Sequence, residues 1–180
     1  MVATFVIMPF LGLLLPLLAT RKFGSATLLG VCLSVFGLAA TAGAASFSAL
    51  SDRLSRSAIY YGGLFITGVA IALCALAASK YEVALAAGMA GLLLGAGNPL
   101  QQTILHEETP EAISGKVFTS LTAIHFIAGP FGLLVAGIIA EFANVELVLL
   151  LAGGLLLTAA VTGWYLLPLG TASPHSPDVT

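Results

Sequence analysis

Six apolar runs, each long enough to cross a bilayer, alternate with short polar stretches over almost the whole chain. They cover about residues 1–19, 25–50, 58–78, 83–105, 117–140 and 147–167. A hydrocarbon core of roughly 30 Å takes about 20 helical residues to span. Lipid offers the backbone no hydrogen-bond partner, so spanning segments must be helices or a closed barrel. The alternating pattern of barrel strands is absent, so the fold expected is all-α, with six transmembrane helices. Composition supports this where it counts. Only 8% of the residues are charged, against about a quarter in a soluble domain, too few to give a core of this size a water-facing surface.

The first run holds Pro9 and Pro16 and has no basic residue before it. A signal peptide needs a basic leader and an uninterrupted apolar stretch. The run is therefore expected to be a span, and the chain is expected to begin within a larger protein. Thr20–Gly24 and Ser79–Glu82 read as tight turns, Ser51–Ser57 (SDRLSRS) as a loop, and Glu141–Glu146 as a turn. Residues 1–168 then form one membrane domain, and residues 169–180, with prolines at 174 and 177, form a disordered tail.

A net charge of −2 points to no nucleic-acid partner. Cys32 and Cys74 lie inside apolar runs, where a thiol acts as a small hydrophobe, and no metal-ligand spacing is present. There is no Gly-x-Ser-x-Gly elbow or phosphate loop, and Glu107, Glu108 and Glu111 fall in a polar stretch without a partnering histidine at catalytic spacing. No catalytic residue, metal or cofactor is expected, and the chain is not expected to be an enzyme. Basic residues do not orient it either. Arg53, Arg56 and Lys116 fall on one face and Arg21, Lys22 and Lys80 on the other, an even split under the positive-inside rule.

The most informative stretch is Asn98–Gly132, a polar hinge between two apolar runs, with a charged elbow at His106–Lys116. Asn98, Gln101 and Gln102 stand at i, i+3 and i+4 and share one helix face. They can line a cavity or tie helices together; such interhelical bonds average about 0.6 kcal/mol in membranes. Pro99 removes a backbone donor and suggests a bend. His125 lies about two turns into the fifth run. An intramembrane histidine suits a proton relay or a cargo contact; it also suits a structural role, neutral and satisfied by Ser120, Thr122 or a neighbouring helix. Gly129, Pro130 and Gly132 should kink and thin this helix for close packing. The stretch Gly43–Asp52 echoes Gly132–Glu141, glycine first and an acid nine positions later, as two inverted three-helix repeats would.

Two polar stretches carry a family resemblance. The SDRLSR loop, through Leu50, Asp52, Arg53 and Arg56, resembles the G-x-L-a-D-R-x-G-R-[KR] loop of the major facilitator superfamily. Thr109, Pro110, Glu111, Gly115, Lys116, Val117 and Phe118 resemble the P-E-x-x-R-G-[RK]-V-[FY] segment of its drug, macrolide and siderophore exporters, with Ser114 in place of arginine. GNPLQQTIL and AGPFGLLVAG are similar to the tenth and eleventh helices of the same exporters. The resemblance implies helices seven to twelve of a twelve-helix transporter, in the bacterial inner membrane, with both termini cytoplasmic. It implies secondary transport by alternating access, as proton-coupled efflux of small molecules across the lipid bilayer, without a cofactor other than the coupled proton. An N-terminal six-helix half would be the partner. Asn98, Gln101, Thr122 and His125 would then line the cavity, in a wall made by the first, second, fourth and fifth spans. Asp52, Arg53 and Arg56 would act as a conformational latch. The other reading is a non-transporting fragment or an assembly subunit that needs a separate N-terminal half.

Overall fold

A computed structural model describes residues 2–47, 54–108 and 111–166, and the statements below concern these. Six helices are long and apolar enough to cross a membrane. They are α1 (Val2–Lys22), α2 (Ala26–Ala45), α3 (Arg56–Leu76), α4 (Lys80–Glu108), α5 (Glu111–Phe142) and α6 (Val145–Leu166). The expected all-α membrane bundle is the observed one.

The helix ends follow from local chemistry. The Oγ atoms of Ser25 and Ser55 accept hydrogen bonds from the N–H groups of Leu28 (3.3 Å) and Ala58 (3.2 Å), capping α2 and α3. At α4 the Ser79 hydroxyl accepts from the Glu82 N–H at 3.3 Å, while the Glu82 carboxylate accepts from the Ala78 N–H at 2.8 Å. The arrangement resembles a capping box in which the carboxylate reaches one residue beyond the N-cap, and two otherwise unpaired donors are satisfied together. Arg56, grouped with the loop in the sequence, is therefore the first residue of α3.

α1 runs three residues further than the sequence suggests. Leu18–Lys22 and Phe10–Leu14 are π-helical, and the Leu15 N–H reaches back five residues to the Phe10 carbonyl. Pro16 cannot supply the donor that the Gly12 carbonyl would use, and wider π pairing bridges such a gap. The wider pairing persists to the helix end. Ser25 N–H bonds to Ala19 O (3.0 Å) and Gly24 N–H to Thr20 O (3.2 Å), each one residue wider than a standard Schellman cap, with Gly24 at φ 58°.

The charged elbow is the other correction. α4 continues to Glu108 and α5 begins at Glu111, so most of His106–Lys116 is helix rather than loop. A helix has no reason to stop where its apolar stretch stops. Beyond the hydrocarbon its backbone still gains by internal pairing. Thr109 and Pro110, like Asp52 and Arg53, lie outside the described residues.

Side-by-side packing pairs α2 with α4, α1 with α5, and α3 with α6; α3 also packs on α4, and α1 on α6. Exchanging α1, α2, α3 with α4, α5, α6 maps this set of pairs onto itself. Three spans per unit make the two units run in opposite directions through the membrane, so the bundle is an inverted repeat. Close glycine contacts mark the symmetry. A Cβ on Gly43 of α2 would overlap the Leu92 carbonyl of α4, and one on Gly132 of α5 would overlap the Phe5 carbonyl of α1. The sequence echo that begins at these two glycines thus begins at equivalent contacts. On the relating axis, α3 meets α6 reciprocally: a Cβ on Gly68 would lie 2.9 Å from the Gly153 carbonyl, and one on Gly153 would lie 2.6 Å from the Gly68 carbonyl.

The buried core joins Phe10, Leu14 and Leu18 of α1 to Cys32, Ile71, Cys74, Leu149 and Leu156. Hydroxyls inside the spans bond to their own helix: Thr67 to the Gly63 carbonyl (2.8 Å) and Thr103 to the Pro99 carbonyl (3.0 Å). They therefore need no partner across a helix interface. At one end of the bundle, Lys22 Nζ donates to the Ala75 carbonyl (3.2 Å) and lies 3.7 Å from Glu146, tying the ends of α1, α3 and α6 together.

Candidate functional site

A cavity of about 430 Å³ opens among α1, α2, α4 and α5, the four spans expected to form the wall, with Tyr60 of α3 added. The small residues of α2 and α4 fix its back. Glycines 91 and 95 bring α4 against the Phe36 and Ala40 carbonyls of α2, so that Phe36, Ala40 and Gly95 all reach the lining. α1 contributes Thr4, Met8 and Leu11, at i, i+4 and i+7 on one face. α4 contributes Gln101 and Gln102, and α5 contributes His125.

Three of the expected polar groups are thus brought together: Gln101, Gln102 and His125. Thr122 is exposed on α5, one turn before His125, and is not part of this lining. Asn98 lies on α4 one turn before Gln101. Pro99 and Pro130 sit inside continuous helices, α4 and α5. Gly129 and Gly132 face α1, the first against Met8 and the second against the Phe5 carbonyl. Phe5 is the residue whose carbonyl loses its helical donor to Pro9, and the bare Cα of Gly132 approaches it closely. Of the proposed latch, Arg56 is half-buried at the start of α3 and makes a side-chain or electrostatic contact there.

Tyr60 and Thr4 were not anticipated. Tyr60 stands near the start of the third span, which is not among the spans expected to form the wall, and the packing of α3 on α4 accompanies its place in the lining. A hydroxyl–aromatic residue just inside a span is a signal that could have singled it out, since both its ring and its oxygen need partners.

The chemistry of the lining is mixed. Two amides, two hydroxyls and one imidazole face Met8, Phe36 and other apolar side chains, and among the described lining residues there is no Asp, Glu, Lys or Arg. Two further cavities are more apolar. One of about 140 Å³ lies between α1, α5 and α6, and one of about 380 Å³ lies between α3 and α6. The polar cavity can therefore bind a molecule that is partly apolar and carries hydrogen-bonding groups. His125 can donate, accept or take up a proton there.

The profile of the Major Facilitator Superfamily matches residues 1–179. The chain belongs to that superfamily. Among its relatives, Multidrug efflux pump Tap of Mycolicibacterium fortuitum is 25% identical over 146 residues, which is 81% of this chain and 36% of the relative. Uncharacterized MFS-type transporter YwfA of Bacillus subtilis (strain 168) is 29% identical over 119 residues, 66% of this chain and 29% of that protein. The chain spans about a third of the length of the curated relatives it matches. Membership makes it a multi-pass protein of a membrane transport family, and the inverted three-helix repeat is the internal organisation expected of a superfamily half.

Proposed function

We propose that this chain is the C-terminal six-helix half of a secondary transporter that exports small, partly apolar molecules by alternating access, driven by protons. The observation that carries the proposal is the polar cavity among α1, α2, α4 and α5, where Gln101, Gln102 and His125 converge with Tyr60 of α3; in this reading those four spans face the second half. Exposed apolar residues on those spans, such as Phe126 and Ile127 of α5 and Leu38 of α2, provide surface for that half or for lipid. The likeness to a multidrug efflux pump supports export as the direction. His125 is the cavity's imidazole and can hydrogen-bond to cargo there. In this reading the termini are cytoplasmic and the membrane is a bacterial inner membrane.

The test is efflux of a fluorescent lipophilic substrate from cells lacking their own exporters. The chain is expressed alone and together with a six-span N-terminal half. Export that needs both halves and stops when a protonophore collapses the gradient is the expected result. Export by the chain alone, in purified liposomes, overturns the half-transporter proposal. Export that survives the protonophore overturns proton coupling.

A further inference from the structure

Three of the four tyrosines and the only tryptophan of the chain gather at one end of the α3–α6 pair: Tyr60 and Tyr61 near the start of α3, Trp164 and Tyr165 in the last turn of α6. Aromatic residues with a polar tip settle at the level of the lipid headgroups. From this aromatic end a groove of about 380 Å³ runs between the two helices towards the bilayer centre. On α3 it extends from Tyr61 to Ile66, roughly 7 Å at 1.5 Å per residue. Its rim is apolar and open: Phe65, Ile66, Val161 and Trp164 are each exposed by 40–45%, on helices apolar enough to cross a membrane.

The two glycines at this groove differ in kind. A Cβ on Gly163 would overlap the Tyr61 ring, so that glycine is explained by protein packing. Gly62 lines the groove, and a Cβ there would meet no atom of the described residues within 4 Å. Glycine is a poor helix former, and among the described residues no atom fills the space it leaves.

We infer that the α3–α6 groove binds one acyl chain of a membrane phospholipid, laid over the bare backbone of Gly62 with its headgroup at the aromatic end. The groove is lined almost wholly by apolar groups and opens on the outer surface of two membrane spans, so an occupant entering it from the bilayer must be apolar over its length. Tyr61, which is buried, closes it from behind. The Tyr61 ring meets Tyr60 edge-on, with centroids 5.2 Å apart and planes at 81°. Tyr60 lines the polar cavity. The bound chain therefore braces, through one aromatic pair, the wall of the cavity.

The reporter is built in, since Trp164 is the sole tryptophan and lines the groove. The purified chain is placed in bilayers of unlabelled phospholipid containing a small fraction of phospholipid brominated along its acyl chains, and quenching of Trp164 is measured for wild type and for Gly62→Leu. The leucine fills the groove floor and improves helix propensity. Quenching should fall to about half of the wild-type value, and the motionally restricted component of a spin-labelled phospholipid should shrink with it. Gly62→Ala, adding a single methyl, should give a smaller fall in the same direction and serves if the leucine variant does not fold. Unchanged quenching and an unchanged restricted component in both variants mean ordinary surrounding lipid, and overturn the site. Wild-type Trp164 that brominated lipid does not quench points to a protein covering the groove, and also overturns it. Relief of quenching by a lipophilic export substrate, at levels that leave the spin-labelled lipid restricted, assigns the groove to cargo instead. None of these readouts requires transport.

Discussion

Gly153 and Gly154 are neighbours on α6, yet the packing predicts opposite outcomes for the same substitution. A Cβ on Gly153 would stand 2.6 Å from the Gly68 carbonyl and 3.0 Å from both Cβ and N of Ala72, all on α3. Ordinary contact begins near 3.4 Å, so Gly153→Ala must move α3 and α6 apart by about 0.8 Å. The atoms in the way are mostly backbone and cannot rotate aside. Overpacking of this sort costs about 1–3 kcal/mol, against a gain of about 1 kcal/mol from replacing a helical glycine. The expected net loss is up to about 2 kcal/mol. A Cβ on Gly154 meets nothing within 4 Å, so Gly154→Ala keeps the propensity gain and should be neutral or more stable by up to about 1 kcal/mol. Unfolding in mixed micelles, followed through Trp164 on the same helix, compares the two directly. Gly68→Ala should resemble Gly153→Ala, and the double variant should cost less than the two losses added, because one separation of the helices relieves both clashes. Equal stability of Gly153→Ala and Gly154→Ala would refute the placement of the α3–α6 crossing and, with it, the axis of the inverted repeat.

Gly43→Val and Gly132→Val should each destabilise the bundle by roughly 1–3 kcal/mol, through clashes with the Leu92 and Phe5 carbonyls; thermal unfolding in detergent reads this, and tolerance of both removes the paired close approaches. Lys22→Met should cost more than Glu146→Gln. The ion pair is partly exposed and contributes less than about 1 kcal/mol, whereas Lys22 also satisfies the Ala75 carbonyl. Raising salt should weaken the effect of Glu146→Gln and leave most of that of Lys22→Met, as measured by chemical unfolding. His125→Ala should leave folding intact and, in the complete transporter, retain part of the transport with weaker cargo binding. Complete loss of proton-driven efflux at normal expression would instead make His125 the coupling group. Tyr60→Phe and Gln101→Ala should raise the apparent KM for export with little change in unfolding; unaltered kinetics in both would place the cargo elsewhere.

The class of the protein was legible in the sequence because the solvent sets it. Six apolar runs with so few charges between them leave the backbone one way to satisfy its hydrogen bonds in lipid, and the TPEAISGKVF and SDRLSR stretches resemble one family's polar loops. Gln101 and His125 could be singled out for the same reason, as polar groups in an apolar run, and both line the cavity. What the sequence could not resolve was direction around each helix. In a soluble helix the polar face shows which side is out; in lipid both sides are apolar, so that period is erased. The chain has 20 glycines, and nothing local separates Gly153, pressed against a carbonyl, from Gly154, which faces open space. Nor does it separate adjacent tyrosines, of which Tyr60 lines the polar cavity and Tyr61 the α3–α6 groove. The charged elbow misled for a related reason: charge marks where the hydrocarbon ends, while the helix ends where its hydrogen bonds do. The sequence alone determined the number of spans, the solvent and the family. The pairing of α1 with α5, α2 with α4 and α3 with α6, and hence which side chains meet, was decided by close backbone contact, which only the tertiary structure contains.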